Sequence, residues 1–166
     1  MLRSLLIQGG IFLIVFLSIS FFQERNMLSM NETIKKPETS LVFSNVTTTL
    51  GETVSLNAQG KKTVIYFFAP WCTICHASIS NLQALYVKNE QIDVIAVALD
   101  YADIDAVVDF TNEHQLTFPV ALGNESIKQA FSISAYPSYY VLNAKNEVVG
   151  RSMGYSSELG LYLRTL

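Results

Sequence analysis

Cysteine is nearly missing from this chain: two occur in 166 residues, Cys72 and Cys75. A pair so close in sequence cannot staple distant parts of a small secreted fold, so a disulfide framework is excluded and the purpose of the pair is local chemistry. Charge is sparse as well. Charged residues make up 15%, and 11 Lys and Arg face 14 Asp and Glu for a net −3. The basic residues are scattered singly, which provides no field for nucleic acid. Histidine occurs twice, and no second Cys or His pair stands at ligand spacing, so no metal site is expected. Internal repeats and low-complexity segments are absent. The length supports one ordinary core plus an extra apolar segment, and leaves little room for a second domain.

The extra apolar segment comes first. From Leu5 to Phe22 there is no charged residue, and roughly 18 residues of helix make about one bilayer crossing. Residues 1–22 are therefore predicted to be a transmembrane anchor. The alternative is a cleaved signal peptide, but the apolar run continues through Phe21 and Phe22 and Ser18-Ile19-Ser20 matches a cleavage site weakly. Arg3 and the α-amino group stand on one side, and Arg25, Lys35 and Lys36 on the other. Positive charge alone thus mildly favours the reverse of the orientation that the redox chemistry below requires. Residues 23–40 are polar, aperiodic and contain Pro37, and are expected to form a flexible linker to a single domain over 41–166. Asn31, Asn45 and Asn124 open formal glycosylation sequons, which bear only on a eukaryotic secretory context that nothing in the sequence supports.

Periodicity outlines the domain. Short β segments are expected over 42–46 and 47–56, with Gly51-Glu52 as the hairpin turn. Lys62 to Ala69 is an almost unbroken β-branched and aromatic run, the pattern of a central strand buried on both faces. From Cys72 onward Ile74, Ala77, Ile79, Leu82, Leu85 and Tyr86 recur at helical spacing, which puts the cysteines at the mouth of a helix. Ile92 to Leu99 is a second buried strand, and strand-helix-strand order implies a right-handed parallel crossover. A helix from Ile104 to near His114, the short run 118–122 and a helix over 125–131 follow. Strands over 138–143 and 147–153 and a closing helix over 156–166, capped by Ser156 or Ser157, complete an α/β chain that is parallel βαβ first and ββα last.

The stretch Phe67 to His76, FFAPWCTICH, satisfies two motifs. Read as C-x-x-C after a strand it is a redox dithiol; read as C-x-x-C-H it is a c-type haem attachment site, with His76 as proximal ligand and Met153 or His114 as distal ligand. Haem attachment would break the sheet packing at its centre, and the α/β alternation disfavours it. The dithiol reading expects no cofactor.

FFAPWCTICH at a strand-to-helix junction, then DVIAVALD, LTFPVAL, Pro137 before SYYVLN, and the MGY of 153–155, resembles the membrane-anchored thioredoxin-like proteins of the TlpA type. The resemblance covers about Leu41 to Leu166. It implies a thioredoxin-like fold with a central mixed sheet flanked by helices, and a bacterial thiol-disulfide oxidoreductase held at the cytoplasmic membrane with its catalytic domain on the periplasmic or extracytoplasmic side. The implied role is that of a reductase, in cytochrome c maturation or thiol maintenance. Its partners would be exported thiol or disulfide proteins and a membrane electron-donor thiol protein. A disulfide-donating oxidase or isomerase is the alternative.

A thiol attacks as thiolate, and at neutral pH a free thiol is mostly protonated. Cys72 at the helix N-terminus would face unpaired N–H groups and the positive end of the dipole, so it is assigned as nucleophile, with Cys75 as resolving thiol. Trp71 is expected either beside the thiol, shaping the substrate surface, or in the core. The resemblance implies that Pro137 is a cis proline facing the dithiol, with Tyr136 supplying backbone to a substrate strand. Pro70, His76 and Tyr66 are expected to modulate the site. His76 would either support a Cys72 thiolate or lie solvated. His114 is read as a helix end. Tyr66 stands where thioredoxins carry a buried acid, leaving Glu52, Glu147 or water to take the proton of Cys75. Thr73-Ile74 lacks the proline common between such cysteines, and the direction of electron flow stays open.

Overall fold

The computed structural model describes residues 8–12, 14, 15, 18, 27–31, 43 and 45–166. Residues 8–12, 14, 15 and 18 are helical, with Ile11, Phe12, Ile14 and Val15 exposed. Among the described residues no helix is long and apolar enough to cross a membrane. Most of the predicted anchor and linker lies outside the described residues.

The domain is built around β3 (Lys62–Phe68). Its parallel neighbour is β4 (Ile92–Ala98), joined to it by α1 (Thr73–Lys88). On the far side of β4 lies β5 (Val120–Leu122), also parallel, reached through α2 (Ile104–Glu113). After α3 (Glu125–Ala130) the chain returns as β6 (Ser138–Leu142), antiparallel to β3, then β7 (Val148–Met153), and closes with α4 (Glu158–Arg164). The sheet order is β5-β4-β3-β6-β7, a mixed five-stranded sheet of thioredoxin-like topology. The N-terminal hairpin is shorter than its sequence suggests. β1 (Val46–Thr47) pairs with β2 (Thr53–Val54) around a turn in which Gly51 takes φ +81°, while Phe43, expected in a strand, is helical.

The alternation of β3 explains the two cores. Val64, Tyr66 and Phe68 face one side with Ile79, Leu82 and Leu85 of α1, Phe110 of α2 and Leu161 of α4. Ile65 and Phe67 face the other with Ile127 of α3, Phe131 and Leu56. Each such side chain contributes about 1.5–3 kcal/mol on full burial, so a strand buried on both faces is the costliest place to lose one. In α1 the buried positions are Cys75, Ser78, Ile79, Leu82 and Leu85. Ile74 and Ala77, expected on that face, are exposed because a helix whose buried face starts at Cys75 turns them outward.

Segments that precede β3 cover both edges of the sheet. At β5, Thr49 N–H donates to Val120 O at 3.0 Å and Thr48 bridges Ala121. At β7, Asn31 N–H donates to Val148 O at 2.8 Å and the Arg151 guanidinium donates to Leu28 O at 2.5 Å. Met27 is buried in the second core, so part of the stretch expected as a linker lies packed on the domain.

Gly123 marks the tightest point of the parallel half. A Cβ there would lie 2.6 Å from Leu99 Cδ2 and 2.8 Å from Ala98 O, and the latter is backbone that cannot swing aside. Gly123→Ala is expected to cost about 1–3 kcal/mol by overpacking, read as a lower urea midpoint with an unchanged slope. A wild-type midpoint would show that the β4–β5 end yields freely.

Candidate active site

β3 ends at Phe68, and Ala69, Pro70 and Trp71 turn the chain so that Cys72 becomes the N-cap of α1. The turn is closed by Cys72 N–H donating to Ala69 O at 3.0 Å. Cys72 Sγ accepts the N–H of Cys75 at 3.2 Å, the position that a capping oxygen ordinarily fills. A 16-residue helix with no acid in its first turn presents its positive end to that sulfur, which favours negative charge there. Cys72 is 7% exposed and Cys75 is fully buried, and the two are joined in a disulfide.

β6 begins at Ser138, in register with Phe67 near the end of β3, so the residues just before β6 stand beside the dithiol turn. These are Tyr136 and Pro137, joined by a cis peptide bond. Trp71 packs edge-on against Tyr136 with ring centroids 6.0 Å apart. Pro137 O accepts from Gly154 N–H at 2.8 Å, where Gly154 turns the end of β7 with φ +84°. No backbone hydrogen bond among the described residues takes up the N–H or C=O of Tyr136. Trp71 is 66% exposed, so the core alternative does not describe it, and with Ile74, 49% exposed, it gives the rim of the dithiol an apolar character.

Asp100, which sequence reasoning did not single out, ties these loops together. It follows β4 in the left-handed region, φ +48°. Its carbonyl accepts from Trp71 Nε1 at 2.8 Å, and its carboxylate accepts from the Tyr136 hydroxyl at 2.9 Å and from Lys128 Nζ at 2.6 Å. The bond from Lys128 holds the Asp100 carboxyl below its ordinary range. The signal available was slight: an acid ending a buried parallel strand, next to the crevice where such sheets bind ligands.

Beneath the dithiol lies a cluster of hydroxyls. Tyr66 donates to Cys75 O at 3.3 Å, and Tyr139 donates to Ser78 Oγ at 3.1 Å. Burial pushes the Tyr66 phenol well above 10, and burial pushes Tyr139 up to about 12. Neither ionises at neutral pH, so neither is a base for Cys75. Glu147 lies at the far end of β6, held by Asn143 Nδ2 at 2.6 Å, and Glu52 sits in the β1–β2 turn. Among the described residues no hydrogen bond or ion pair links either carboxylate to α1.

His76 is committed elsewhere than to the thiol. Its Nε2 lies 2.8 Å from Pro70 O and its Nδ1 lies 2.8 Å from His114 Nε2, with the ring against Phe110. A carbonyl only accepts, so Nε2 carries the proton. His114, the C-cap of α2 as the sequence suggested, is held below its ordinary value chiefly by burial. The two cysteines stand where β3 gives way to α1 in the middle of the sheet, so the C-x-x-C-H stretch is packed as a strand-to-helix turn.

Sheet topology and the cysteine pair at the mouth of α1 mark a thioredoxin-like thiol-disulfide oxidoreductase. The chain belongs to the Redoxin family, whose profile matches residues 35–161. It is 27% identical over 125 residues to the sporulation thiol-disulfide oxidoreductase A of Bacillus subtilis, covering 72% of this chain and 75% of that one. It is 34% identical over 94 residues to the thiol-disulfide oxidoreductase ResA of Oceanobacillus iheyensis, covering 54% of this chain and 48%, about half, of that one. The crystal structure of StoA from Bacillus subtilis superposes with a TM-score of 0.67 at 25% identity, covering 74% of this chain and 96% of that chain.

Asp100→Asn tests the role of the carboxylate while keeping a side chain that tolerates φ above zero. Because the folded carboxyl is held low, its stabilisation is present above the ordinary carboxylate range and is lost as pH falls through the folded value. The variant should be less stable than wild type by about 1 kcal/mol or less at neutral pH, since the site is solvent-screened. The gap should close in acid, once the pH has fallen below the folded value. Urea midpoints at the two pH values measure it; a gap that persists in acid would place the effect elsewhere than in the charge.

Proposed function

We propose that the protein reduces disulfides of exported proteins, with Cys72 as nucleophile and Cys75 as resolving thiol. The observation that carries this reading is the asymmetry of the pair: Cys72 at the rim, its sulfur capping α1, and Cys75 fully buried one turn on. In the reduced protein the Cys72 thiolate attacks a substrate disulfide, forming a mixed disulfide and releasing one substrate thiolate. The Cys75 thiolate then attacks Cys72 Sγ, restoring the Cys72–Cys75 bond and releasing the second substrate thiolate, so two electrons pass to the substrate. The proton of Cys75 leaves without a dedicated carboxylate, with water as acceptor. Trp71, Ile74 and Tyr136 form the docking rim, and the backbone of Tyr136 pairs with an extended substrate segment. A membrane thiol protein re-reduces the disulfide.

The reading includes a single-pass anchor over 1–22 and a domain outside the bacterial cytoplasmic membrane. It is supported by the uncharged run from Leu5 to Phe22 and by the exposed apolar side chains of its described residues. An anchored dithiol on the outer face can take electrons from a membrane carrier and pass them to exported proteins, whereas a cytosolic thioredoxin has no use for an anchor.

Cys75→Ser is expected to trap a mixed disulfide with substrate, and Cys72→Ser to abolish exchange; trapping by Cys72→Ser instead would reverse the assignment. The Cys72–Cys75 potential, titrated against glutathione, should fall nearer the roughly −270 mV of thioredoxin than the roughly −120 mV of a strong protein oxidant. A value near the latter makes the protein a disulfide donor.

For the topology, a membrane-impermeant thiol reagent should label Cys72 in reduced intact cells. Labelling that appears only after lysis would defeat the external placement.

A further inference from the structure

The chain has two histidines, and the fold brings them together. His76 lies in the first turn of α1 and His114 caps α2, 38 residues away in sequence, with their nitrogens 2.8 Å apart. Glu113 Oε2 lies 3.7 Å from His76 Nδ1, and the ligand atoms of all three residues fall within 4.8 Å of one another. We propose that His76 Nδ1, His114 Nε2 and Glu113 form a binding site for a divalent cation of the zinc class, beside the dithiol and separate from it.

Four features carry this. The donor set, two imidazoles and a carboxylate, is one that zinc accepts, leaving one position open. Metal–ligand bonds of about 2.0–2.1 Å in a tetrahedron set neighbouring ligand atoms roughly 3.3 Å apart, and 2.8 and 3.7 Å bracket that spacing, so small side-chain rotations suffice. His76 already has the outer partner that ligating histidines use: Nε2–H donates to Pro70 O, which leaves Nδ1 bare and aimed at His114. A cation there takes the place of the proton that now bridges the two rings. Finally, His76 and Glu113, though not His114, line a groove of about 370 Å³ whose wall also carries Trp71, Tyr101 and Asp109, which gives a cation a route in from solvent.

The site joins α2 to the turn before Cys72. Pro70 O, held by His76, is two residues from the nucleophile, so an occupied site fixes the turn that presents Cys72 and Trp71. The sequence hid it because its ligands come from two separate helices and not from a spaced pair.

The test uses the untagged full-length chain in detergent, in its disulfide form so that no thiol can bind metal. Zinc chloride titrated calorimetrically should show one saturable equivalent, and cobalt(II) should give a tetrahedral visible spectrum without thiolate-to-metal charge transfer. His76→Gln and His114→Gln should each weaken zinc binding by at least the roughly 10- to 100-fold that loss of an outer partner alone brings. Glu113→Gln, at an exposed helix end, should weaken it too, with the fold checked by circular dichroism. The proposal is overturned if the oxidised wild-type chain takes up no stoichiometric zinc, or if uptake survives in His114→Gln.

Discussion

Everything functional here depends on the register of β3 between its two neighbours. Phe68 pairs with Ala98 on one side and Phe67 with Ser138 on the other. The three chain segments leaving those positions therefore emerge at one end of the sheet: the dithiol turn, the loop at Asp100 and the loop at Tyr136-Pro137. A slip of one residue would turn the cores inside out, placing Tyr66 among the partners of Ile65 and Phe67. Burial on both faces prevents that slip, and the geometry of the site follows from hydrophobic packing well away from the sulfurs.

The floor of the site is the least conventional part of it. A carboxylate buried at Tyr66 would need a partner or would have to take up a proton, since burying an isolated charge is expensive. The phenol avoids that cost. Its hydroxyl is satisfied by Cys75 O, and its ring lies 4.9 Å from that of Tyr139. What is given up is a proton acceptor beneath Cys75.

How much of this was readable beforehand follows from how local each feature is. β3 and β4 announced themselves because a strand buried on both faces has an unbroken apolar run, and Cys72 stood at the helix mouth because Pro70 stops the strand. The helix phase at Ile74 and Ala77 is not legible because an exposed apolar residue has the same spelling as a core residue. Asp100, Lys128 and the His76–His114 contact were invisible for another reason. Their partners lie 28 to 38 residues apart, and nothing in a linear pattern reports that two loops converge. The stretch around Met27 reads as a linker because Met27 and Leu28, packed side by side on the second core, set no period.

That stretch also closes an exposure that open sheets carry. An edge strand offers unpaired N–H and C=O groups to any other extended chain. Here the backbone around Asn31 lies along β7 and the backbone around Thr49 lies along β5. The rims of the sheet are thus partly occupied, whereas the backbone of Tyr136 makes no hydrogen bond to other backbone among the described residues. Edges guarded in this way leave fewer extended backbone groups with which a second copy of the chain could pair.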